Sequence, residues 1–121
     1  ADFTAIGQQF VQHFYTQLDS DKNQVAGLYG ENSMLTFEGE QFLGAANIIG
    51  KYNTIGSLRH DIKSFDAQPT TSNGVICFVS GDLFIDGGEN PVKFAEVFNL
   101  EQGGSAGYYV HNNLFRLNYG C

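Results

Sequence analysis

The sequence has no tryptophan, two prolines, two cysteines and only six lysines and arginines in 121 residues. Each scarcity excludes something. Few prolines with 42% hydrophobic residues rule out a disordered tract, and the length suits one domain over 1–121 with a single core. Cys77, inside an apolar run, and Cys121, the last residue, form no CxxC pair and no metal-ligand spacing, so a reduced compartment and no metal are expected. Thirteen acids against six bases give a net charge of −7, which repels phosphate backbones and anionic membranes and suits a basic protein surface. No run approaches a membrane span, and the start ADFTAIGQQF has neither the basic beginning nor the long apolar stretch of a signal peptide. What the chain has in quantity is flat apolar area, in eleven Phe and six Tyr.

Asp2 is placed to cap a helix whose apolar positions, Phe3, Ile6, Phe10, Val11, Phe14 and Tyr15, fall close to i, i+3, i+4, i+7 spacing. A shorter helix is expected to begin at Asp19 or Ser20, run through Val25, Leu28 and Tyr29, and end near Gly30. Met34 to Gly44 reads as two short strands joined at Glu38-Gly39, and Ala45 to about Ile55 as a third helix between Gly44 and Gly56. From Leu58 the pattern has period two. Strands are expected at Leu58–Ala67, Val75–Ile85, Val92–Leu100 and Tyr108–Tyr119, separated by segments rich in turn formers. Helices first and an antiparallel meander afterwards indicate an α+β fold.

The late strands are apolar on both parities. Val75, Cys77, Val79, Leu83 and Ile85 share one face of their strand, yet Ile76 and Phe78 lie on the other. In the next strand Phe94, Phe98 and Leu100 oppose Ala95 and Val97, and in the last Tyr108, Val110 and Leu114 oppose Tyr109, Phe115, Leu117 and Tyr119. A sheet with one wet face alternates more cleanly, and three helices are too few to cover two faces. A homodimer packed sheet to sheet answers that demand.

No nucleophile elbow, P-loop, HExxH or dinucleotide glycine pattern is present, and His13, His60 and His111 form no ligand pair. His13 reads as a surface residue and His111 as part of a hydrogen-bond network. His60 shares strand parity with Leu58 and Ile62 and faces the concave side, where it is either a general acid–base group or a histidine satisfied in an apolar pocket. Asp61 has the wrong parity to assist it, and no second catalytic group stands out. Phe37-Glu38 sets an aromatic ring beside a carboxylate, either a recognition socket or an ordinary hairpin. The loop Asp86-Gly87-Gly88-Glu89-Asn90-Pro91 lacks the ligand spacing of a calcium loop, and remains a solvated turn or an acidic rim.

Several segments together resemble the nuclear transport factor 2 family. They are Phe10-Val11-Gln12-His13-Phe14-Tyr15, Met34-Leu35-Thr36-Phe37-Glu38, Asp66-Ala67-Gln68-Pro69, Gly81-Asp82-Leu83-Phe84-Ile85-Asp86, Asn90-Pro91 and Phe115-Arg116-Leu117-Asn118-Tyr119. The likeness runs in order from Phe3 to Tyr119. It implies a curved antiparallel sheet wrapped as a cone around the N-terminal helices, with a cavity at the mouth and a homodimer made through the sheets. It also implies a non-enzymatic carrier that needs no cofactor, works between cytoplasm and nucleus and concentrates at the nuclear pore. By resemblance, the cavity receives an aromatic side chain of GDP-bound Ran GTPase, with Phe37 at its wall and Glu38, Asp86 and Glu89 as rim acids. Leu58, His60, Phe78, Leu114 and Phe115 correspond to cavity-lining positions, and Phe3 to the patch that binds FxFG repeats of nucleoporins.

Three departures are visible. Phe37 stands where animal relatives have tryptophan; the link Asn53–Leu58 is short and lacks a Pro-Phe pair; and the 86–91 loop carries an extra Gly-Gly. The rival reading on the same cone is a small-molecule isomerase or dehydratase using His60.

Overall fold

The computed structural model describes residues 2–104 and 107–118, so the expected strand end at Tyr119, and Cys121, lie outside the described residues. The first helix, α1, spans Phe3–Ser20, and Asp2 accepts hydrogen bonds from the Thr4 and Ala5 amides at 3.1 and 3.3 Å. This is the cap read from the sequence. The second helix is a 3-10 segment, Lys22–Leu28, capped by Asp21 and not by Asp19 or Ser20. Both expected caps are engaged elsewhere: Ser20 bonds back to the Gln17 carbonyl, and Asp19 reaches across to the sheet. Tyr29 opens the first strand and lies outside that helix.

Strands β1 (Tyr29–Phe37) and β2 (Glu40–Leu43) form the expected hairpin. Glu38 and Gly39 both have positive φ, 53° and 90°, as a two-residue turn with the right twist requires. Helix α2 (Ala45–Tyr52) stops three residues before Ile55, where the chain turns and the Thr54 hydroxyl caps the Lys51 carbonyl at 2.6 Å. Strands β3 (Leu58–Pro69), β4 (Val75–Ile85), β5 (Val92–Gly104) and β6 (Gly107–Asn118) follow as an antiparallel meander, with β5 four residues longer than expected. The sheet order is β2-β1-β6-β5-β4-β3. The β1–β6 pair is parallel, a long-range pairing invisible to local periodicity.

α1 packs on β3 and β4, with Phe14 fully buried and edge-on to Tyr15, Tyr29 and Phe98. The inner face of the sheet supplies the rest of the core, including Val75, Cys77, Val79, Phe94, Leu100 and Val110. Burial pushes the Cys77 thiol up to about 12. Two irregularities modify the simple alternation. A bulge between Ile62 and Ser64 resets parity within β3, and a register shift opposite Asn99–Leu100 makes His111 the extra residue of β6. Val110 and Phe115, assigned to opposite faces by counting, are therefore both buried.

At the β3 bulge a Cβ on Gly81 would stand 2.1 Å from the Asp61 carbonyl oxygen, a backbone atom with no room to retreat. Gly81→Ala is expected to lower stability by about 1–3 kcal/mol, read as a lower urea midpoint. An unchanged midpoint would mean that the bulge yields freely.

Candidate functional site

The helices leave part of the concave face open. There a cavity of about 110 Å³ is walled by Leu18 from α1, Phe37 from β1, Leu58 from β3, Leu83 and Ile85 from β4, Phe115 and Leu117 from β6, and by Tyr52 and Ile55. Its two remaining lining residues, His60 and Glu96, are polar. The volume is of the order that accommodates one aromatic ring. Phe37 stacks on Phe115 at 4.6 Å, and Phe115 continues the stack to Phe94 at 5.9 Å. Lys51, not singled out from the sequence, lies 5.2 Å from the Phe37 ring centre and 5.7 Å from that of Phe42 while pairing with Glu40 at 3.5 Å.

Glu38 is half-buried at the turn beside Phe37, in the left-handed region that a non-glycine residue rarely occupies. Two hydrogen bonds hold it there. Its amide donates to the Phe115 carbonyl at 3.0 Å, and its Oε1 accepts from the Leu117 amide at 2.5 Å. The carboxylate thus joins the hairpin to β6 and keeps one oxygen for other contacts. Asp86 is exposed, directly after the cavity residue Ile85, and clips onto the link before β3. Its amide donates to the Ser57 carbonyl at 2.8 Å and its Oδ1 accepts from the Ser57 amide at 3.2 Å. Gly56 is required by this approach, since a Cβ there would lie 1.8 Å from Asp86 Oδ1. Glu89 is exposed and has no hydrogen-bond or ionic partner among the described residues.

The residues read from the sequence therefore divide. Phe37, Leu58, His60 and Phe115 come together in the cavity, Glu38 adjoins Phe37, and Asp86 adjoins Ile85. Phe78 and Leu114 do not line it: they are 48% and 51% exposed on the outer face. Strand parity is the reason, because Cys77, Val79 and Phe115 point inward and their neighbours must point out. Phe3 is half-buried at the start of α1, in a groove with Ile6, Pro69 and Tyr108.

The polar floor is richer than the sequence implied. Asp19 takes His60 with both oxygens, accepting from the His60 amide at 2.8 Å and lying 2.7 Å from ring Nδ1. The ring stacks on Tyr15 at 4.2 Å and meets Phe94 edge-on at 5.2 Å. Glu96, 2% exposed, accepts from the Tyr15 hydroxyl at 2.6 Å and from Asn113 Nδ2 at 2.8 Å. Asn113 Oδ1 accepts in turn from Tyr29, whose hydroxyl is 2.9 Å from that of Tyr52. Burial raises the Tyr15, Tyr29 and Tyr52 hydroxyls above their ordinary range, so all three remain neutral. The partner carboxylate that seemed missing beside His60 is Asp19. The signal available was its position one helical turn after Tyr15, on the same face.

Among the described residues no group of three or more His, Cys, Asp and Glu is arranged to hold a metal ion, and no helix is long and apolar enough to cross a membrane.

An apolar cavity with a polar floor, on a curved sheet wrapped around a helix, defines a domain of the α+β cone class. Residues 6–117 match the family model for the nuclear transport factor 2 (NTF2) domain. The chain is 46% identical over 121 aligned residues to nuclear transport factor 2 of Kluyveromyces lactis, covering 98% of this chain and 96% of that protein. It is 43% identical to nuclear transport factor 2 of Oryza sativa subsp. japonica, covering 98% and 99%. The solved structure of nuclear transport factor 2 from Cryptosporidium parvum superposes with a TM-score of 0.89 at 47% identity, covering 96% of this chain and 94% of that one. This chain belongs to the nuclear transport factor 2 family.

Burial dominates the titration of Glu96, raising it from the ordinary 4.5 against the lowering effects of His60 and of the bonds from Tyr15 and Asn113. The folded state therefore holds this proton to higher pH than the unfolded chain, and stability falls as pH rises from 4.5 through the raised value. Glu96→Gln is expected to lack this slope. Its urea midpoint should gain on that of the wild type between about pH 4 and about pH 7. Parallel midpoints across that range would show that Glu96 titrates normally.

Proposed function

We propose that this chain is a non-enzymatic carrier in nuclear transport, moving between cytoplasm and nucleus and concentrating at the nuclear pore. In this reading its cavity receives an aromatic side chain of GDP-bound Ran GTPase, and Glu38 and Asp86 pair with basic residues beside that ring. Family membership supports the transport role. The observation that carries the finer reading is the ring-sized apolar cavity next to Phe37, with Glu38 and Asp86 adjoining its wall residues. An aromatic group in a desolvated socket ringed by charge pairs is a typical hot-spot arrangement, and the net charge of −7 suits a basic partner. Selectivity for the GDP form would come from the partner's own switch regions, whose conformation depends on the γ-phosphate. Phe3 and its groove are the proposed contact for FxFG nucleoporin repeats.

The outer face of the sheet supports the homodimer in the same reading. Phe78, Val97 and Leu114 lie side by side in one row across β4, β5 and β6, with Ile76 alongside, and Ile76, Phe78 and Leu114 are 40–51% exposed. Contiguous apolar area of this kind marks an association surface. Phe78→Glu is expected to convert a dimer to a monomer in sedimentation velocity at micromolar concentration. A wild-type monomer, or a variant that remains dimeric, removes this surface from the proposal.

The decisive test of the carrier reading is capture of Ran loaded with GDP or with a GTP analogue. Glu38→Lys would also break the bond to the Leu117 amide, so Glu38→Gln, which keeps an acceptor oxygen and removes only the charge, is the cleaner variant. Glu38→Gln and Asp86→Asn, which keeps the acceptor for the Ser57 amide, are each expected to weaken GDP-form binding by about tenfold or more with the fold intact. Equal capture of both nucleotide forms, or full affinity in both variants, overturns the assignment.

A further inference from the structure

A socket for a purely apolar ring needs no polar floor, yet this cavity ends on His60 and Glu96, both almost fully withdrawn from solvent. Asp19 commits His60 Nδ1, and no hydrogen bond among the described residues engages Nε2, the remaining polar atom of a ring that lines the cavity. With Nδ1 turned to Asp19, Nε2 is the ring atom left to meet a ligand, and in a neutral imidazole of that tautomer it is an acceptor. Glu96 spends both oxygens on donors from Tyr15 and Asn113. The floor thus lacks one thing, a hydrogen-bond partner for His60 Nε2 arriving from the cavity.

We propose that the cavity binds small phenols, with the aromatic ring between the walls of Phe115, Leu58 and Leu83 and the hydroxyl donating to His60 Nε2 beside Glu96. The volume limits the ligand to a single ring. A neutral donor fits better than an ammonium, because a cation would be stripped of water among apolar walls. The site shares its cavity with the proposed protein partner but needs no partner to be observed, so its outcome is independent of the carrier reading.

Titration calorimetry of the intact protein with p-cresol, toluene and benzylamine tests this. Toluene is the more hydrophobic ring, so an apolar cavity alone would favour it over p-cresol, whose hydroxyl must be desolvated. The expected result is p-cresol binding about tenfold more tightly than toluene or benzylamine. In His60→Phe, which keeps a ring against Tyr15, the preference over toluene should vanish. Because that variant leaves Asp19 without its partner, the wild-type His60 Nε2 resonance provides a second reading, expected to move with p-cresol and not with toluene. Toluene or benzylamine binding as tightly as p-cresol, no heat at millimolar p-cresol, or an unmoved Nε2 resonance would each overturn the proposal.

Discussion

The placement of α1 against the inner face of the sheet governs everything at the mouth of the cone. Phe14 is the anchor, sealed among Tyr15, Tyr29 and Phe98, and burial of such a ring contributes about 1.5–3 kcal/mol. Helical geometry then fixes the next contacts. Tyr15 bonds Glu96 on β5, Leu18 becomes part of the cavity wall, and Asp19 clamps His60 on β3. The last turn of one helix, oriented by one buried ring, therefore builds both the wall and the floor of the site.

The floor is a buried polar network in which nearly every group is satisfied. Tyr52, Tyr29, Asn113, Glu96 and Tyr15 form a chain from α2 through β1, β6 and β5 to α1. A carboxylate in such a place is costly unless its oxygens are hydrogen-bonded, and both are. The geometric consequence is that elements distant in sequence are held in one arrangement. The electrostatic consequence is that an apolar cavity keeps an acceptor-rich end, which separates it from a plain hydrophobic slot.

Strands β4, β5 and β6 also carry two unrelated jobs. Their inward residues make the core and cavity, while their outward residues, Ile76, Phe78 and Leu114 among them, leave an apolar surface. Period-two alternation allows this because, between bulges, neighbouring side chains on a strand point to opposite faces. It also explains why a whole-family likeness placed Phe78 and Leu114 in the cavity wrongly. A shift of one position along a strand moves a residue from the inside of the cone to the outside.

Local pattern was enough for the helix cap at Asp2, the Glu38-Gly39 hairpin turn, the limits of β4 and the α+β class, because capping, turn chemistry and alternation act between near neighbours. The pairing of Phe37 with Glu38 was equally visible as a dipeptide. Tertiary structure alone decided what these residues meet. Asp19 could have capped the second helix, yet its distance to His60 in the fold made it the histidine's partner. Val110 and Phe115 share the buried side only because a bulge resets parity at His111. Glu96, one acid among thirteen in the sequence, became the floor of the cavity through contacts with Tyr15 and Asn113, 81 and 17 positions away. Hydrogen bonds and burial are set by distance in space, and a linear pattern records only distance along the chain.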